Sequence, residues 1–329
     1  MNRSVRARSG GMLLLTALIW GVAFVAQSVS MDYISPFTFN AVRSLIGGAV
    51  LLPGIALLDR LNRKRQPGQQ NADTQISGHG GKKLIVGGVA CGVVLAVASS
   101  LQQFGIMQTT VGKAGFITAL YIVIVPVLGL FFKRRVPPLV WLGVLVATGG
   151  MYLLCITESF SVGTGDLLMV ACAVCFSVHI LLIDHFSPFV DCVRMSCIQF
   201  FTCGVLCAIP MFLWEHPQMQ DLFAAWVPVL YAGVLSCGVA YTLQVVGQKH
   251  TTPVVASLLL SLESVFSVLA AWVILRESLS LREFLGCLMV FCAIVLAQAP
   301  DFKRRGSPEG RKTLEGGDAV QTLASQQGR

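Results

Sequence analysis

One carboxylate interrupts a long apolar run near the end of the chain. Glu263 stands among Ser257, Ser261, Ser264 and Ser267 in a stretch, 253–275, that is otherwise mostly apolar. A charge held in a hydrocarbon interior costs on the order of 3 kcal/mol or more unless it finds a partner or water. Two roles suit such a residue. It could take up and release a proton. It could instead be a permanent ion-pair anchor, and Arg43, set inside a different apolar run, is the partner the sequence offers. For Arg43 itself the choices are a structural lock, a contact to a carboxylate, or snorkelling towards the nearer surface. The serines around Glu263 cover an arc too polar to face lipid.

Other polar and aromatic residues fall into stripes. Trp20, Phe24 and Gln27 occupy i, i+4 and i+7, which is one face of a helix, and Cys172, Phe176 and His179 repeat the arrangement. An aromatic ring beside an amide or imidazole suits a mostly apolar organic solute oriented by a few hydrogen bonds. The alternative is helix packing, with Gln27 and His179 bonding a neighbouring helix. His179 is also a lesser candidate for a proton role, although a buried neutral ring is the ordinary state of such a histidine. Ser99 with Gln102, and Tyr241 with Gln244 and Gln248, form two further polar stretches. They fit either a cavity wall or interhelical hydrogen bonds worth roughly 0.6–2 kcal/mol each. Thr118 and Tyr121 occupy the positions that correspond to Ser261 and Ser264 one repeat later. The candidate substrate-binding set is therefore Trp20, Phe24, Gln27, Gln102, Tyr121, Phe176, His179, Tyr241, Gln244, Ser261 and Ser264, with Glu263 and Arg43 as the coupling or ion-pair residues.

Lipid-spanning helices must carry these residues. Of 329 residues 55% are apolar and only 12% charged, against roughly 25% charged in soluble domains. Mean hydropathy is +0.73. Ten apolar runs lie at about 11–30, 37–58, 84–106, 114–132, 138–156, 165–183, 193–213, 226–247, 253–275 and 282–299. Each is close to the ~20 residues a spanning helix needs. Barrel strands would alternate with period two, and these runs do not. The spacing predicts an all-α polytopic membrane protein of ten transmembrane helices.

Net charge is +8, and its distribution points to topology rather than to nucleic acid. Twenty of the 24 lysines and arginines fall in odd-numbered segments between the runs, three in even-numbered ones, and Arg43 inside a helix. Under the positive-inside rule this bias places both termini in the cytoplasm and favours an even number of helices. The polar linker 59–83 and the tail 300–329 read as disordered cytoplasmic segments. The eleven cysteines lie mostly in apolar runs and read as small packing residues, Cys172-x-x-Cys175 included. Gly88-x-x-x-Gly92 has the spacing of a close helix contact, a spacing common by chance in a chain with 32 glycines. Pro126 is a possible kink in the fourth run.

The chain repeats itself. Leu101-Gln102-x-x-Gly105-x-x-x-Thr109-Thr110 matches Leu243-Gln244-x-x-Gly247-x-x-x-Thr251-Thr252 at an offset of 142. Ser35-Pro36-Phe37 matches Ser187-Pro188-Phe189 at 152, an offset that also pairs Phe24 with Phe176 and Gln27 with His179. Two units follow, 11–156 and 165–299, of five helices each. An odd number of helices makes the second unit enter the membrane from the opposite side. Inverted repeats of this kind place a solute site near mid-membrane at their interface.

Several motifs resemble the drug/metabolite transporter superfamily in its EamA-type bacterial branch. They are Ala17-Leu-Ile-Trp-Gly-Val-Ala-Phe24, Phe39-Asn-Ala-Val-Arg43, Ala114-Gly-Phe-Ile-Thr-Ala-Leu120 with Pro126 after it, and Leu275-Arg-Glu-Ser-Leu-Ser-Leu281 followed by Gly286. The resemblance spans about residues 11–299 and implies a carrier that exports amino acids and related metabolites, or moves drugs and sugars, in the bacterial plasma membrane. No G-x-x-x-x-G-K-[ST] phosphate loop is present, so the expected class is a secondary transporter without cofactor or metal. Its partners would be a small-molecule substrate and the bilayer. A channel, or a membrane-embedded enzyme, is the competing reading. The enzyme is disfavoured because the five histidines are scattered and no H-E-x-x-H occurs.

Overall fold

The computed structural model describes residues 3–65, 77–109, 111–131, 136, 138–155, 163–274 and 281–306. Regular structure among them is entirely helical. The basic loop Lys133-Arg134-Arg135, most of the motif that begins at Leu275, and the tail beyond Gly306 lie outside the described residues.

The chain runs as α1 (Arg3–Ser30), α2 (Pro36–Arg65), α3 (Ser77–Ile106), α4 (Val111–Thr118), α5 (Tyr121–Phe131), α6 (Pro138–Cys155) and α7 (Thr164–Phe186). There follow α8 (Cys192–Pro210), α9 (Met219–Ala224), α10 (Trp226–Leu230), α11 (Thr242–Gln248), α12 (Pro253–Leu260), α13 (Leu262–Ile274) and α14 (Leu281–Gly306). Two stretches are wound more widely, as π-helix: Met211–Glu215, which extends α8, and Tyr231–Tyr241, which joins α10 to α11. Eight of the resulting helical stretches are long and apolar enough to cross a bilayer, among them Lys113–Phe131 and Pro253–Ile274. The two remaining apolar runs appear as the shorter stretches Pro138–Gly150 and Phe284–Ala293 within α6 and α14.

The linker 59–83 is more ordered than its composition indicates. Residues 59–65 continue α2 and residues 77–83 begin α3, with 66–76 outside the described residues. Extending an existing helix fixes one residue per added hydrogen bond and needs no new nucleus. Leu58, Arg60, Leu61, Lys64 and Arg65 are also good helix formers. Arg194 on α8 holds Asp59 through one nitrogen, at 2.8 and 3.0 Å from the two carboxylate oxygens. Likewise residues 301–306 of the expected tail are helical.

Four packing relations organise the bundle. α2 lies against α8, α6 against α14, α3 against both α7 and α8, and α1 against α13, Tyr231–Tyr241 and α11. Small residues permit the close approaches. A Cβ on Gly92 would fall 2.6 Å from the Gln199 carbonyl, and one on Gly88 2.7 Å from Ile198 Cβ, so the Gly88-x-x-x-Gly92 spacing is a true contact between α3 and α8. Gly105 meets Met169 of α7, where a Cβ would sit 2.8 Å from Cγ; its counterpart Gly247 meets Leu13 of α1, at 3.1 Å from Cγ.

One contact joins α8 to the start of α2. The Glu215 carboxylate accepts from Phe37 N at 2.9 Å, Thr38 N at 2.6 Å and Thr38 Oγ1 at 2.7 Å. These are first-turn amides that have no partner within their own helix, and the negative charge also suits the helix dipole. Phe37 packs edge-on to Phe104 at 5.2 Å and lies 6.0 Å from the Trp214 ring. Elsewhere Asp166 plays a local version of the same part, accepting from Gly163 N, Thr109 Oγ1 and Lys113 Nζ.

Candidate functional site

Two helical stretches are broken in mid-course. Between α4 and α5 the backbone tightens at Ala119 and Leu120, with Leu120 N bonded to Ile117 O and Val123 N to Leu120 O. Between α12 and α13 the interruption falls at Ser261, with Ser264 N bonded to Ser261 O. The second break has a local cause: Ser257, Ser261 and Ser267 each donate a hydroxyl to the carbonyl three residues earlier, which competes with helical bonding. Pro126 does not mark the first break; it sits inside α5. The two broken stretches meet where Ser264 Oγ donates to Gly115 O at 2.9 Å.

Beside these breaks lies a cavity enclosing about 450 Å³ of space between atoms, some of it open to solvent. Trp20, Phe24 and Gln27 of α1 form one wall, and Phe176 and Ile180 of α7 contribute to the walls as well. Arg43 enters from α2, Gln102 from α3, Ser236 and Tyr241 from the π-helical stretch, and Gln244 from α11. Thr118 and Tyr121 flank the first break, Leu260 and Glu263 the second, and all four line the cavity. Tyr241 is the centre of an aromatic cluster, with ring centroids 4.5 Å from Trp20, 5.4 Å from Phe200 and 6.0 Å from His179.

The cavity holds one acidic and one basic side chain. Glu263 is 3% exposed and accepts from the Tyr121 hydroxyl at 2.9 Å. Arg43 is 4% exposed, and its guanidinium lies over the Phe39 ring at 4.8 Å. Among the described residues no ion pair links the two, so of the two roles open to Glu263 the anchor to Arg43 is not formed here. Both groups border the shared cavity instead. Several other lining atoms have no hydrogen-bond partner among the described residues: Trp20 Nε1, Gln27 Oε1, Arg43 Nε, Thr118 Oγ1 and Gln244 Oε1.

Of the thirteen residues singled out from the sequence, the structure brings ten to this cavity. His179, Ser261 and Ser264 are buried behind it. His179 Nε2 lies 3.2 Å from Gln199 Oε1, Ser261 bonds Leu258 O, and Ser264 bonds Gly115 O. Ile180, Ser236 and Leu260 line the cavity without having been singled out. Ile180 could have been found one turn beyond Phe176; Ser236 and Leu260 carry no comparable signal. Apolar rings, three amides, a carboxyl and a guanidinium can hold and orient an organic solute of mixed character.

The described residues contain no cluster of three or more metal-ligating side chains. Comparison with known proteins agrees with the fold. An uncharacterized transporter of Archaeoglobus fulgidus is 28% identical over 290 residues, which are 86% of this chain and 83% of that protein. The uncharacterized transporter YoaV of Bacillus subtilis is 20% identical over 290 residues, 86% of this chain and 94% of its own. A solved structure, described only as the crystal structure of a protein, superposes with a TM-score of 0.71 at 20% identity, covering 91% of this chain and 99% of its own. The EamA-like transporter family matches residues 9–156 and again 163–298. With its apolar helices and both of these matches, this multi-pass membrane protein belongs to the EamA-like transporter family.

Proposed function

We propose that the chain is a secondary transporter that exports a small organic metabolite, amino-acid-like or drug-like, across the bacterial plasma membrane by alternating access. The cavity carries this reading. It is walled by helices from both family matches, contains Arg43 and Glu263, and lies against the two broken helices. Discontinuous helices at a repeat interface are where carriers place solute sites, because freed backbone groups and half-helix ends face the cavity there.

The packing supports two inverted five-helix repeats. Under the sequence offsets, α1 corresponds to α7, α2 to α8 and α3 to Tyr231–Tyr241 with α11. The contact of α3 with α7 then maps onto that of α11 with α1, and Gly105 and Gly247 make the close approach in each. The contacts α2 with α8 and α6 with α14 map onto themselves. Rocking of one unit against the other would expose the cavity to each side in turn, with both termini cytoplasmic.

A metabolite screen tests the function directly. Cells with and without the protein are compared for internal and external pools, and the solute found is then followed into vesicles containing purified protein. The expected flux saturates and is competed by related solutes. Conductance that does not saturate would identify a channel and overturn the carrier reading.

A further inference from the structure

Arg43 and Glu263 differ in what the protein already supplies to them. Glu263 receives the Tyr121 hydroxyl. Arg43, equally buried, has neither a carboxylate nor a hydrogen-bond acceptor among the described residues, and its Nε is fully enclosed and unpartnered. Glu263, Gln27 and Gln244 line the same cavity without bonding the guanidinium, and Phe39 offers it only a ring face. A guanidinium out of water is a fork of five donors shaped for two oxygens held in a plane. Removing it from water without an acceptor is among the costlier arrangements a fold can keep.

From this we infer that Arg43 is the anion subsite of the cavity and that the transported solute bears a carboxylate, which docks on the Arg43 guanidinium. The inference rests on the carrier reading above and narrows it: the solute is a carboxylate-bearing molecule with an apolar body, rather than an organic cation. The body of the solute lies against Trp20, Phe24 and Tyr241, whose rings line the same space. The carboxylate is thereby held on the α2 side, at Arg43, with the apolar part along the rings.

Three small probes share one ring and one length and differ in charge: phenylacetate, phenylacetamide and phenethylammonium. Binding of each to the full-length protein in detergent is measured by calorimetry. The expected order places phenylacetate at least tenfold tighter than either of the others. In Arg43→Gln, with thermal melting and monodispersity checked first, that preference falls to within twofold. Arg43→Lys keeps the charge but not the planar fork, and retains a reduced preference. Should Arg43→Gln not fold, the order of the three probes on the wild-type protein and on Arg43→Lys still decides the matter. Tighter binding of phenethylammonium, equal binding of acid and amide, or a preference for the acid that survives Arg43→Gln would each overturn the assignment. Binding of the cation, lost in Trp20→Ala, would leave the carrier reading standing while removing this one. Failure of all three probes to bind at millimolar concentration would overturn the assignment; a saturable flux of another solute in the vesicle assay would show the carrier itself intact.

Discussion

Among the described residues Glu263 has a single hydrogen-bond donor, Tyr121, and the two residues sit at the two helix breaks. That makes the pair a sensitive place to separate transport from folding. Glu263→Gln keeps the shape and removes the titration; the expected protein inserts and is purified in normal yield, exchanges solute, and loses the pH dependence of net flux. Flux at two pH values in vesicles checks this, and a folded variant with unchanged pH dependence removes Glu263 from the coupling step. Tyr121→Phe deletes the donor and leaves a buried carboxylate short of a partner, at a cost of about 1–3 kcal/mol; a melting temperature lowered by several degrees is expected, together with a shifted pH profile. At this scale the sequence was informative where helical spacing decides direction. Trp20, Phe24 and Gln27 share a face because residues four and three apart must. It was uninformative where a side chain chooses between a cavity and a neighbour. Ser261 and Ser264 were grouped with the site for their polarity, yet each spends its hydroxyl on a nearby carbonyl, and His179 turns to Gln199.

Among the elements, glycine contacts and helix breaks set how closely the helices approach. Gly92→Ala would drive a Cβ into the Gln199 carbonyl, a backbone atom with nowhere to move, whereas a Cβ on Gly129 meets nothing within 4 Å. The expected outcome is a loss of about 1–3 kcal/mol for Gly92→Ala and no loss for Gly129→Ala; thermal melting of the two in detergent compares them under one protocol. Eight of the ten expected spans were legible because apolar length has one reading in a bilayer. Their interruptions were not. Pro126 is the residue a reader would choose for a kink, but the helix continues through it and breaks at Ala119 and Leu120, ahead of it. Serine back-bonding at Ser257, Ser261 and Ser267 depends on rotamers that the sequence does not specify.

For the whole molecule, the charge bias gives an orientation that can be checked from either side of a sealed cell. A cysteine at Asp221 should react with an impermeant thiol reagent added outside, and one at Gln70 only after the membrane is opened; labelling of Gln70 in intact cells would reverse or discard the topology. The Leu-Gln-x-x-Gly match pairs Gly105 with Gly247, and each of these glycines sits where a helix of the other family match comes close, at Met169 and at Leu13. The order of residues 59–65 and 77–83 could not, because polar composition describes a helix that leaves the membrane as readily as it describes a disordered loop.

The Glu215 carboxylate reaches back 178 residues to Phe37, and this bears on how the protein is made. α2 leaves the ribosome long before the residue that completes its first turn exists. Until α8 is in place, the amides of Phe37 and Thr38 must borrow water or lipid headgroups, and a helix end without its cap is weaker by about 1 kcal/mol. Biogenesis therefore has an order built into it: the first unit waits, unfinished, for the second. Made separately, the first 156 residues should be short-lived in cells and be rescued when the remainder of the chain is supplied from a second message, with rescue failing when that second piece carries Glu215→Ala.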